Sequence, residues 1–170
     1  MFQDTPSFID HWRNARSRTI RVLDALPSSE LEWTWAPGKF TFGDLFRHLA
    51  GIERFMYAQN VRHRPSTYPG HSAALASGLE AVRAYVGRCH TEALAIFGSL
   101  SEADLQSKCL TPAGTPISVW KWLRAMAEHE AHHRGQLYLM ASMRGLRIPP
   151  LFGLTEEEVA ARSAPPETVV

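Results

Sequence analysis

The chain has 170 residues, 45% of them hydrophobic and 21% charged, and a formal net charge of +1. That length suits one domain able to bury a sizeable core, and the even charge, without a basic block or an acidic run, excludes an electrostatic footprint for nucleic acid or an anionic membrane. No apolar run approaches the roughly 20 residues of a membrane span, and Met1-Phe2-Gln3-Asp4 lacks a basic start followed by an apolar core, so the cytoplasm is the default location.

The first helix is predicted from about Thr5 to Leu26. Thr5 serves as N-cap with Pro6 in the first turn, and Phe8, Trp12, Ala15, Thr19, Val22 and Leu26 recur at helical spacing. Pro27 and the following serines end it. Ala36-Pro37-Gly38 marks a turn, after which Thr41 and Asp44 resemble a capping box. The second helix then runs to about Asn60 with Leu45, Leu49, Ile52, Phe55 and Met56 on its apolar face. Arg64 to Gly70 reads as a loop rich in proline. The third helix is expected over about Ser72 to Phe97, with Leu75, Leu79, Val82, Val86, Ala93 and Phe97 as its stripe. A short turn or helix starts at Ser101-Glu102-Ala103-Asp104, and a Pro/Gly loop follows from Thr111 to Pro116. The fourth helix begins near Thr115-Pro116 and ends at about Arg144, where Gly145 is a natural C-cap. No alternating pattern indicates strands. These four amphipathic helices predict an all-α four-helix bundle over 1–154 and a flexible tail over 155–170. Cys89 and Cys109 match no metal spacing and read as reduced thiols.

The eight histidines are not equivalent. His11, His63, His71 and His90 stand alone and read as incidental. Around Glu128 to Gln136, by contrast, Val119, Trp122, Met126, His129, His133, Leu137 and Met140 fall within roughly 80° of arc at 100° per residue. His129 and His133 therefore lie one turn apart on the interior stripe, where a pair of imidazoles can point at one metal ion. His132 falls on the flank. His48 lies within roughly 60° of the centre of the Leu45-Leu49-Ile52-Met56 stripe, so a third imidazole can face the pair from another helix. Three neutral imidazoles leave coordination positions open for water or substrate. Core histidines bonded to neighbours are the bland alternative, but two polar rings at this spacing in an apolar stripe are costly without a common partner. His129-Glu130-Ala131-His132-His133 also reads as H-E-x-x-H, the zincin motif with Glu130 as general base. That reading needs a ligand downstream, such as Glu156, Glu157 or Glu158, beyond Pro149-Pro150, and strands to hold a peptide.

At Phe42-Gly43-Asp44-Leu45-Phe46-Arg47-His48-Leu49-Ala50 and at His129 to Leu137 the sequence resembles the DinB family of metal-binding four-helix bundles. Leu26-Pro27-Ser28-Ser29-Glu30-Leu31, Pro37-Gly38-Lys39 and the stretch from Arg144 to Gly153 fit the same family. The resemblance implies an up-down-down-up bundle, a homodimer, and a metal triad of His48, His129 and His133. It further implies zinc or nickel, with iron or manganese as other candidates. Relatives include transferases and isomerases that use bacillithiol or mycothiol, and others labelled metal-dependent hydrolases. The expectation is therefore a divalent-metal-dependent enzyme acting on a small molecule by low-molecular-weight-thiol transfer or hydrolysis. Glu130 or His132 would assist proton transfer, and Arg134 would meet an acidic substrate group or form a surface salt bridge. The competing expectation is a metal-holding stress or interaction protein without turnover.

Overall fold

A computed structural model describes residues 4–163. The first three residues, and positions 164–170 of the expected tail, lie outside the described residues. Helix α1 (Thr5–Ala25) is capped by Asp4, one residue earlier than expected. Asp4 Oδ1 accepts from the Ser7 backbone N–H at 2.8 Å, whereas Thr5 sits inside the helix and donates its hydroxyl to Leu100 O at 2.8 Å. Helix α2 (Phe42–Ile52) starts as predicted, with Thr41 and Asp44 closing a reciprocal capping box. It continues through a π-helical stretch, Glu53–Tyr57, into the short α3 (Ala58–Asn60). The wider π winding changes the helical phase. Glu53 and Tyr57 are buried there, while Ile52, Phe55 and Met56 are only half-buried.

Helix α4 (Leu79–Gly98) begins later than the predicted Ser72. Its N-cap is Gly78 at φ +83°, a left-handed conformation that breaks any helix arriving from before it. The preceding stretch is tied down by Ala76 O, which accepts from the buried Arg47 Nε at 2.8 Å. After α5 (Glu102–Gln106), strands β1 (Lys108–Leu110) and β2 (Pro116–Ser118) form a small antiparallel hairpin. This corrects the sequence expectation in which Pro116 opened a helix. Three-residue strands are too short to show alternation. Helix α6 (Val119–Met143) follows, and Gly145 at φ +64° supplies the predicted stop. Within the expected tail, Glu156–Ser163 forms an exposed helix α7, opened by Thr155 and Glu158, whose side chains bond each other's backbone N–H groups.

The structure is mostly helical, and the long segments pack α2 on α4, α1 on α6, α1 on α4 and α2 on α6. The core is divided in two. One apolar cluster joins Val22 and Leu23 of α1, Leu45 to Ala50 of α2, Val82 to Cys89 of α4, and Leu137 to Ala141 of α6. The other joins Phe8 to Ala15, Tyr57, Ala93, Phe97, and Val119 to Met126. Between them every long segment contributes a polar side chain: Arg16 and Thr19, Glu53, His90, and Glu130 with His133 and Arg134. No helix among the described residues is long and apolar enough to cross a membrane.

Candidate metal centre

The capped first turns of α2 carry His48 to the level of this polar layer, and α6 brings His129 and His133 to the same place from the facing side. His133 Nε2 lies 2.9 Å from His129 Nε2, and His48 Nε2 lies 3.3 Å from the same atom. One nitrogen from each of the three rings falls within 4.8 Å of the others. Tetrahedral coordination at about 2.0–2.1 Å per Zn–N bond separates ligand nitrogens by roughly 3.3 Å. The cluster thus has the span that a small divalent cation requires, with imidazoles from two helices converging as predicted. His132 stands outside it, its Nε2 3.4 Å from the Gln136 amide nitrogen.

The outer ring atoms are held as well. His48 Nδ1 is 2.7 Å from Tyr68 Oη, and His133 Nδ1 is 2.6 Å from Gln136 Oε1. A carboxamide oxygen only accepts, so His133 Nδ1 carries the proton and its Nε2 lone pair faces the other rings. Phe40 packs beside both, its ring centroid 5.6 Å from His48 and 6.2 Å from His133. Burial pushes the His48 imidazole down to about 3, and the neighbouring His133, His129 and His71 add to it. Burial likewise takes His129 to about 4, helped by His133, His132 and Arg16. His133 is lowered by burial, against the raising effect of its bond to Gln136. All three are therefore neutral donors at pH 7, the form that coordinates metal. The donor set and its protonation fit a divalent cation.

Behind the cluster lies a buried ionic network. Arg16 is bonded to Glu53 at 2.7 Å and stands 3.4 Å from Glu130, with all three side chains almost fully buried. Trp12 Nε1 donates to Glu53 Oε1 at 2.6 Å, and His90 Nδ1 is 2.8 Å from the same oxygen. Burial alone would raise Glu53, but Arg16, His90 and Trp12 overcome it and hold the carboxyl below its ordinary value. Burial raises Glu130, and Arg16 offsets this only in part. Glu130 thus faces a guanidinium within the core, where the zincin motif would need it beside an attacking water. Glu156, Glu157 and Glu158 sit on the exposed α7. Arg134 is largely buried, donates to Ala15 O at 3.2 Å and forms no salt bridge among the described residues. His90 is a member of the ionic network, and His71 packs edge-on against Phe40 at 4.5 Å, so neither is incidental.

Tyr68 and Gln136 escaped the sequence reading. Gln136 follows His133 by three positions and so shares its face, a spacing that could have been used. Tyr68 sits in an aperiodic loop and left no comparable signal. Its seat depends on Gly51, where an added Cβ would lie 3.2 Å from the Tyr68 ring and 3.2 Å from Tyr85 Oη.

A mostly helical fold whose helices bring three neutral imidazoles together defines a class of candidate metal-binding helical proteins. The chain belongs to the DinB superfamily, whose family model matches residues 11–137. It is 24% identical to the uncharacterised protein YrdA of Bacillus subtilis (strain 168), over 94% of this chain and 95% of that one. Its fold is similar to the crystal structure of a DinB-like protein from Bacillus cereus ATCC 10987, with a TM-score of 0.74 at 21% identity, covering 88% of this chain and 99% of the other. A DinB-like protein from Bacillus subtilis, YjoA, matches with a TM-score of 0.66 at 16% identity, over 85% and 96% of the two chains.

Proposed function

We propose that this chain is a cytoplasmic divalent-metal-dependent enzyme of the DinB superfamily. In this reading it holds zinc or nickel with His48, His129 and His133 and acts on a small molecule by thiol transfer or hydrolysis. The observation that carries it is the convergence of three Nε2 atoms from two helices, 2.9 and 3.3 Å apart along the chain of contacts. Bound there, the cation would supply Lewis acidity, making a small thiol or a water more acidic at neutral pH.

The protein's own residues do the remaining work. The three imidazoles stay unprotonated because burial disfavours the imidazolium. Gln136 accepts from His133 Nδ1 and leaves its Nε2 as the donor atom, and Tyr68 would do the same for His48 by accepting from its Nδ1. His132, on the exposed flank beside Gln136, would assist proton transfer in this reading. Glu130, by contrast, holds Arg16 and steadies α6 against α1. An up-down-down-up homodimer completes this reading by resemblance to the family.

Metal analysis of protein purified without a His-tag is expected to give close to one equivalent of metal per chain. Assays of the loaded protein with a panel of low-molecular-weight thiols and an electrophilic acceptor then separate the two reactions. Turnover that needs a thiol supports transfer, and turnover with water alone supports hydrolysis. Substoichiometric metal under zinc and nickel supply, below about half an equivalent, would refute the proposal.

A further inference from the structure

A groove of about 480 Å³ runs between the connection before α2 and the C-terminal half of α6. Trp35, Phe40, Leu139, Met140 and Met143 line it, and apart from Gln136 and Lys39 its walls are apolar. Three of these side chains are unusually open to water for their size: Trp35 is 53% exposed, Leu139 63% and Met143 56%. Such a concentration of exposed apolar surface marks a binding surface, and the volume is that of a small-molecule site. Methionine side chains adapt to irregular occupants.

Two residues join this groove to the histidine cluster. Phe40 lines the groove and packs against the His48 and His133 rings. Gln136 also lines it while its Oε1 accepts from His133 Nδ1. A larger cavity of about 570 Å³, lined by Asn60, His63, Arg64 and Leu110 among others, shares no side chain with the cluster. We infer that the groove takes the apolar body of the substrate handled at the cluster. That substrate is an amphiphilic small molecule with a metal-binding head and an alkyl or aryl chain. This inference rests on the metal-centre reading above. The groove adjoins the cluster through Phe40 and Gln136, and a concave site of this kind suits such a molecule better than it suits the flat contact of a second protein copy.

The test uses cobalt(II)-loaded full-length chain and a series of alkyl hydroxamates, from acetohydroxamate to octanohydroxamate. The head group perturbs the visible cobalt spectrum, and Trp35 fluorescence reports filling of the groove. A fully buried methylene strengthens binding about fourfold, so octanohydroxamate is expected to bind at least about a hundredfold more tightly than acetohydroxamate. Leu139→Asp is expected to remove the dependence on chain length, and Leu110→Asp, at the other cavity, to preserve it. Acetohydroxamate binding with no gain along the series overturns the groove and leaves the metal centre standing. Absence of any cobalt spectrum overturns both. A flat series together with a dimer that Leu139→Asp converts to monomers assigns the face to a second copy and overturns the inference.

Discussion

Replacing Arg16 by leucine tests the buried layer that seats the histidine helices. Arg16 is 1% exposed and stands between Glu53 at 2.7 Å and Glu130 at 3.4 Å, and it also donates to Leu49 O at 3.3 Å. Its loss strands two carboxylates in the core. Removing one partner of a buried charge set costs about 3–5 kcal/mol, and about 2–4 °C of melting temperature per kcal/mol at this chain length gives a fall of roughly 6–20 °C. The assay is urea and thermal unfolding followed by circular dichroism at pH 7.5 and pH 5. In the parent, Glu53 titrates below its unfolded value of 4.5. Its stabilisation is complete above that pH and is lost as pH falls through the lower folded value. In Arg16→Leu Glu53 loses the charge that holds it down and rises, and Glu130, already raised by burial in the parent, is raised further. The folded state then binds protons that the unfolded state does not, and the variant recovers as pH falls from 7.5 towards 5. The stability difference between variant and parent should accordingly be smaller at pH 5 than at pH 7.5. Replacing Arg16, Glu53 and Glu130 together with apolar residues should restore most of the loss. A single-variant cost under about 1 kcal/mol with no pH dependence would refute the account, since it would mean the charges are not desolvated.

His48→Ala, His129→Ala and His133→Ala should each lose metal and the stability that metal adds, whereas His132→Ala should retain it, as read by metal content and melting temperature with and without zinc. Equal metal content in all four variants would remove the assignment. Metal-free protein should lose stability as pH falls from 6.5 towards 4, because His48 and His129 titrate near 3 and 4 when folded and the unfolded chain takes up protons first. The urea midpoint at pH 7.5 and pH 5 measures this, and a midpoint that rises on acidification would contradict it. Tyr68→Phe removes the partner of His48 Nδ1 and is expected to weaken metal binding about 10- to 100-fold with little change in the melting temperature of the metal-free chain. Competition against a chromophoric chelator reads the affinity, and an unchanged value would show that Tyr68 does not orient the ring.

The histidine cluster was legible because helical phase is arithmetic. The i, i+4 pair at His129 and His133, and the placement of His48 beside Leu45 and Leu49, follow from 100° per residue before any contact is known. The apolar stripe of α1 was legible for the same reason. Arg16, Glu53 and His90 were not, because a polarity pattern assigns charged residues to the solvent side. Only the mutual neutralisation of Arg16 and Glu53 lets them occupy core positions, and that pairing joins residues far apart in sequence. The π stretch was hidden because it changes the backbone winding without a compositional mark. The late start of α4 could have been read from Gly78, whose positive φ is a glycine property. The β hairpin lay below the length at which alternation can be seen.

The placement of the polar layer explains why the histidine cluster sits between the two apolar clusters. Each long segment crosses from one apolar cluster to the other at this level: α1 between Ala15 and Val22, α2 with its π extension between Ala50 and Tyr57, α4 between Cys89 and Ala93, and α6 between Met126 and Leu137. A uniform apolar core would let helices slide by a turn at modest cost, because one leucine seat resembles the next. A layer in which Glu53 accepts from Arg16 and Trp12 and meets His90 has a single satisfied register, since a shift by one turn would leave desolvated charges unpaired. His48 lies on α2 just ahead of Glu53, and His129 directly precedes Glu130 on α6. The register that pairs Arg16 with Glu53 is therefore also the one that brings the three Nε2 atoms together, and the ionic layer sets the geometry of the candidate metal site.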